Sequence, residues 1–297
     1  MADPSRSELP SEEEKHDNAG EQLPLWEDRP RQPVMDSVIT TARSVDYGQL
    51  PGEFPQPPDE PAWQMADLGV FILFAIGTLL LANFGVGAVF YLIRGRLQLR
   101  SMLQEAPFVV SMQVLWEGLW FLFIYYTITE KYRQPFWRAI HWFRVRRSHT
   151  IFVLEGVFLA FAAQGLLNLL PAQKELPIER LFTSAAASYL LAFFGICVAP
   201  FIEELVFRGF FYPVFERRFG IARAVLITAA LFAMIHGPQL NEGWAELTAI
   251  FMVGVALSYT RGKTGSLIPS YLMHVSYNTS LFAALYFSTN RFHTLHG

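Results

Sequence analysis

LGVFILFAIGTLLLANFGVGAVFYLI, Leu68 to Ile93, runs for 26 residues without one charged side chain. About 20 apolar residues in a helix cross the hydrocarbon core of a bilayer, so this stretch puts the chain in a membrane. Similar runs recur outward from it. Pro107 to Thr129 holds one acid, Glu117, and Ile151 to Leu170 holds one, Glu155. Leu181 to Ile202 holds none, and its apolar character resumes after a short charged cluster and continues through Phe215. Ala224 to Asn241 and Thr264 to Asn290 have no formal charge but contain His236 and His274. Trp244 to Thr260 is marginal, with Glu246 near its start. Glycine and proline inside such runs are tolerated in membrane helices. The expected fold is all-α: a polytopic transmembrane helix bundle of seven spans, or eight if one segment is re-entrant.

Composition agrees. Of 297 residues, 52% are hydrophobic and 16% charged, with a mean hydropathy of +0.27; a soluble domain carries about 25% charged residues. The charges are segregated. Met1 to Gln64 holds 14 acids and 5 bases, the remainder 12 acids and 18 bases. The first 64 residues also hold 10 of the 18 prolines and no sustained apolar period. Such a segment cannot bury enough surface to offset its ordering entropy, so residues 1–64 read as an acidic, disordered tail. Its start lacks a basic stretch followed by an apolar one, so no signal peptide is expected. Residues 65–180 then form the first membrane helices with a basic loop, residues 181–290 a polar-motif-bearing membrane core, and residues 291–297 a short C-terminal tail. The single cysteine, Cys197, excludes a disulfide framework and reads as a small buried packing residue. No phosphate loop or nucleic-acid motif is present, and the positive body points to lipid headgroups and not to nucleic acid.

Lys/Arg bias in short loops sets orientation. The loop after the second run carries Lys131, Arg133, Arg138, Arg144, Arg146 and Arg147; its side totals eleven bases against six on the other. That side is therefore expected to be cytoplasmic, with the N-terminal tail on it, in a multi-pass protein of a bacterial-type cell membrane. Phe136, Trp137, Trp142 and Phe143 interleave with these bases, a pattern that suits the membrane interface.

Ionisable groups at bilayer depth are costly and mark function by default. Glu203-Glu204-Leu205-Val206-Phe207-Arg208 has apolar residues on both sides. Glu204 and Arg208, four apart with the acid first, are spaced for a helical ion pair. Glu203 points about 100° away and is left available, and Pro200 cannot donate to the helix ladder beside it. Phe232 and His236 share a face of the next run; His274 and Asn278 share a face of the last. Glu117 has no partner motif and reads as a structural carboxyl. Together these clusters offer a carboxylate, imidazoles, a carboxamide and an arginine. Peptide hydrolysis needs a base for water, a group to position it, and donors for an oxyanion, and this set can fill those roles. No Gly-x-Ser-x-Gly frame or HExxH motif occurs.

Glu-Glu-x-x-x-Arg at 203–208, Phe-x-x-x-His at 232–236 and His-x-x-x-Asn at 274–278, in this order on separate helices, resemble the CPBP intramembrane proteases, the CAAX protease and bacteriocin-processing (Abi) family. The lead-in Arg261-Gly-Lys-Thr-Gly-Ser-Leu-Ile-Pro-Ser is similar as well. The resemblance spans roughly Ser184 to Ser288. It implies an endopeptidase acting on a membrane-associated protein or peptide, CAAX-type or lipid-anchored substrates included. It implies Glu203 as the base that activates water, with His236 as its partner, and His274 and Asn278 orienting water or stabilising the oxyanion. Glu204 and Arg208 hold the helix and the charge balance. Glu203, His236 and His274 could compose a zinc set with an open fourth position, or the glutamate could act without metal; the metal-free version is preferred and zinc stays open. Two other classes use similar groups: a proton- or ion-coupled transporter, for which no duplicated pattern of broken helices is seen, and a non-catalytic membrane scaffold.

Overall fold

The computed structural model describes residues 61–95, 102–171, 180–241 and 243–292, all within the larger of two units, Tyr47–Gly297. The tail up to residue 60 and residues 293–297 lie outside the described part, so the expected disorder of the tail falls outside it too.

Every regular element among the described residues is helical. Helix α1 is Met65–Arg94. Helix α2, Ala106–Tyr126, continues as a π-helical turn over Thr127–Lys131. A single turn, α3, spans Phe136–Ala139 in the basic loop, and α4 is His149–Leu169. Helix α5 covers Ala185–Phe219. Helix α6 is Ile221–His236, extended by a 3-10 turn over Gly237–Leu240. Helices α7, Trp244–Thr264, and α8, Leu267–Ser288, complete the bundle.

Five of these helices are long and apolar enough to cross a membrane: α1, Ala106–Lys131, α4, α5 and Ile221–Leu240. The count of seven or eight spans drawn from the sequence is therefore not reached. Helices α7 and α8 have 21 and 22 residues, length enough to span. Their hydropathy falls short because they carry Glu246, Arg261 and Lys263, and Ser270, His274, Ser276 and Asn278. What lowers their apolarity includes the groups that build the interior site.

Helix α5, 35 residues long, stays continuous through Pro200, whose missing N–H the sequence marked beside the glutamate pair. At 1.5 Å per residue it is about 52 Å long, longer than the roughly 30 Å hydrocarbon core. Two π-helical segments absorb its misfits, Phe194–Val198 ahead of Pro200 and Leu205–Phe211 after the glutamate pair. In them Ala199 N–H donates to Phe194 O and Tyr212 N–H to Phe207 O, one residue further back than in an α-helix. π-Bulges of this kind re-phase a helix, and they cluster at functional sites.

Helix α5 touches α2, α6 and α8, so it is the axis on which the others assemble. Small residues let the neighbours close. A Cβ on Gly156 of α4 would collide with Ser276 Oγ and Met273 O of α8, and one on Gly254 of α7 would lie 3.1 Å from Ala229 Cα of α6. Without a hydrophobic force between helices in lipid, such close approach is a main source of packing energy.

The segment ahead of α1 belongs to the core. Trp63, assigned to the tail from sequence, is fully buried. It stacks on Phe210 with centroids 5.4 Å apart, and its indole N–H donates to Phe210 O at 2.8 Å. Arg217 donates to Pro61 O at 2.8 Å and to Trp63 O at 3.1 Å. Asp67 in the first turn of α1 pairs with Lys131 and accepts from the Tyr132 hydroxyl at 2.6 Å, closing this end of α1 onto α2. Cys197 differs from expectation as well: it is exposed and not buried.

Candidate active site

Helix α5 places its two adjacent glutamates in different environments. Glu204 is fully buried and Glu203 is 14% exposed at its side chain. Arg208, also fully buried, donates from Nη1 to Glu204 Oε1 at 2.9 Å, the four-residue pairing expected from spacing. Its other donors are used as well: Nε to Ser258 Oγ at 3.2 Å and Nη2 to Gly254 O at 3.1 Å, both on α7. Its guanidinium lies 4.5 Å from the ring centroid of Phe232 on α6. One buried cation thus ties α5, α6 and α7 together.

Glu204 has a second partner that spacing did not reveal. His274 Nδ1 on α8 lies 3.0 Å from Glu204 Oε1. A carboxylate accepts only, so Nδ1 carries the proton in this bond. That fixes the ring with Nε2 pointing away from Glu204, and Nε2 lies 3.5 Å from Glu203 Oε2. The same logic holds on α6. His236 Nδ1 lies 2.7 Å from Phe232 O, which it reaches as donor, and its Nε2 lies 3.9 Å from Glu203 Oε1. Phe232 packs between the two imidazoles, with centroids 4.7 Å from His236 and 5.7 Å from His274. The two oxygens of Glu203 are therefore each faced by an imidazole Nε2 from a different helix. Glu203 and His236 keep partial access, 14% and 17% exposed, while His274 is 3% exposed.

Asn278 sits one turn beyond His274 on α8. Its Nδ2 donates to Gly195 O at 2.7 Å, in the first π-helical segment of α5. Among the described residues no hydrogen bond joins it to Glu203, His236 or His274. The structure thus brings Glu203, Glu204, Arg208, His236 and His274 into one cluster and gives Asn278 a bond to the backbone beside it. Glu117 on α2 was read as structural. It is buried, takes a hydrogen bond from Gln113 and lies within electrostatic reach of Glu203, with Oε2 making no hydrogen bond. It is a fourth-helix contribution to the same cluster. The only signal for it in the sequence is a lone acid in an apolar run.

The donor types of Glu203, His236 and His274 suit zinc. Among the described residues no group of three or more His, Cys, Asp or Glu is placed to hold a metal ion. No step below is routed through one.

Residues 185–280 match a family model described as Type II CAAX prenyl endopeptidase Rce1-like. That segment holds all three motifs and is similar to the family they resemble. Over 131 residues the chain is 32% identical to a protein of Escherichia coli called "Uncharacterized 24.3 kDa protein", a match covering 43% of this chain and 55% of that one. The chain thus spans about half the length of this curated relative. No solved structure matches the chain. With five apolar helices of spanning length and this family segment, the protein is an integral membrane protein.

Proposed function

We propose that the protein is an intramembrane endopeptidase that cleaves a peptide bond of a membrane-associated protein or peptide, using water activated by Glu203. The observation that carries this reading is the convergence on the Glu203 carboxylate of two imidazole Nε2 atoms, at 3.9 and 3.5 Å, each ring held at Nδ1 by a fixed acceptor. A water between them donates one hydrogen to Glu203 and the other to His236 Nε2. Glu203 takes the first proton as the water oxygen bonds to the scissile carbonyl carbon. The C–N bond then breaks, and the proton held on Glu203 passes to the leaving nitrogen. General base assistance of this kind contributes about 10²–10⁴-fold.

His274 is backed by a buried carboxylate, as in the triad arrangement in which an acid orients an imidazole and stabilises its charged form. With Nδ1 tied to Glu204, a proton on Nε2 is the donor aimed at the developing oxyanion. Asn278 holds one amide hydrogen on Gly195 O and has a second for the same purpose. Zinc is not required in this scheme. The substrate class follows the family segment, CAAX-type or lipid-anchored proteins included. The Lys/Arg bias of the loops supports a cytoplasmic side for the tail and the loop 131–147 in a bacterial-type cell membrane.

The test compares new peptide termini in native membranes containing the wild type or Glu203→Gln at matched abundance. Termini that depend on Glu203 identify both the activity and its substrate. Identical sets of termini, with wild-type protein folded and inserted, overturn the reading.

A further inference from the structure

The basic loop does more than lie at the bundle's edge. Its aromatic side packs on the two helices that carry Glu203 and His274. Trp142 lies 5.7 Å from Phe201 and 5.3 Å from Tyr271, Trp137 lies 6.4 Å from Phe201, and Phe201 and Tyr271 meet at 6.2 Å. Phe201 is two residues before Glu203, and Tyr271 is three before His274. The loop backbone also caps the start of α8. Leu267 N–H donates to His141 O at 3.0 Å, His141 Nδ1 reaches Gly265 O at 2.9 Å, and Ser266 Oγ donates to Phe143 O at 2.5 Å. His141 holds φ of +59° to make these turns, a conformation that a non-glycine residue adopts at some cost.

The other side of the loop is basic and open. Arg138, Arg144, Arg146 and Arg147 are exposed, and Trp137, next to Arg138, is 53% exposed. Arg147 pairs with Glu155 at 3.0 Å, whereas Arg144 and Arg146 join no acid among the described residues. A loop between two membrane helices lies at headgroup depth. Exposed tryptophan is enriched there, and a cluster of bases beside a membrane helix attracts anionic lipid.

We propose that the loop 131–147 is an anionic-phospholipid site, with Arg144 and Arg146 as its headgroup ligands, and that lipid bound there steadies the start of α8 through the His141–Gly265–Leu267 bonds. Phospholipid fits better than a protein partner because the exposed tryptophan requires an apolar phase directly beside the charges. The site stands whether or not the protein cleaves peptides.

The experiment titrates the detergent-solubilised full chain with phosphatidylglycerol or phosphatidylcholine and counts bound lipid by native mass spectrometry. Wild type is expected to prefer phosphatidylglycerol. At about the attraction of one surface charge per base, Arg144→Gln/Arg146→Gln weakens that binding by about 30-fold, and Arg144→Lys/Arg146→Lys keeps most of it. Hydrogen exchange follows in parallel: phosphatidylglycerol slows exchange at 141–143 and at Leu267 in the wild type and not in the Gln variant. Equal retention of the two lipids, or an unchanged preference in the Gln variant, overturns the site. A preference without any change at Leu267 overturns the link to α8.

Discussion

Replacing Glu204 by Gln removes the negative charge from the one place in the bundle where a fully buried arginine depends on it. The change keeps the side chain's volume, so the loss is electrostatic and not a cavity. Breaking a buried pair by removing one partner costs about 3–5 kcal/mol. Here the lower end of that range applies, near 3 kcal/mol, because Arg208 keeps Ser258 Oγ, Gly254 O and the face of Phe232. The substitution has a second consequence. A neutral Gln no longer stabilises the charged form of the His274 ring, the form in which Nδ1 donates to residue 204 while Nε2 carries the proton for the oxyanion. Glu204→Gln therefore loses stability and activity together. Glu203→Gln, at a partly exposed position with no arginine partner, leaves the unfolding midpoint near wild type and lowers turnover by about 10²–10⁴-fold. Glu204→Gln/Arg208→Met removes both charges and recovers at least half of the lost stability. Equilibrium unfolding in mixed micelles reads the stability, and single-turnover cleavage of a substrate identified from membranes reads the chemistry. The reasoning is refuted if Glu204→Gln is as stable as wild type but inactive while Glu203→Gln turns over normally; the base would then be Glu204.

Further outcomes are expected elsewhere. Gly156→Ala forces α4 away from Met273 and Ser276 and costs about 1–3 kcal/mol in micelle unfolding; wild-type stability would contradict the close helix crossing. Trp63→Ala empties a fully buried ring site and strips the donor from Phe210 O, at about 3–5 kcal/mol. Truncation to residue 56 leaves the unfolding midpoint in place and truncation through Gln64 lowers it; equal midpoints would show that Trp63 contributes nothing. Protein stripped of metal is expected to keep cleaving, as judged by activity alongside elemental analysis. One equivalent of zinc that vanishes in His236→Ala and His274→Ala, together with activity restored only by zinc, would reverse that expectation. On a Cys197→Ala background, single cysteines in the tail and at Arg144 should react with impermeant labels from the cytoplasmic face alone; labelling from opposite faces would refute the orientation.

The sequence by itself determined the material and the local pairs. Uncharged runs of 20 residues or more can satisfy their backbone in lipid only as helices, so the all-helical membrane body was legible from Leu68 to Ile93 onward. Glu204 and Arg208 were legible as a pair because four residues of helix bring two side chains together whatever surrounds them, and the π-helical turn that follows Glu204 leaves the 2.9 Å contact intact. The histidines and Asn278 stood out because polar groups inside apolar runs are costly. What only the tertiary structure decided is which group faces which. In a soluble helix the apolar stripe marks the inward side, but a membrane helix is apolar all round, so periodicity could not tell that Glu117 is buried within electrostatic reach of Glu203 or that Cys197 is exposed. The grip of Glu204 on His274, 70 residues away, and the stacking of Trp63 on Phe210, 147 residues away, depend on how separate helices rotate and cross. Those angles are set by close approaches such as that of Gly156 on α4 to Met273 and Ser276 on α8, and no spacing within one segment encodes them.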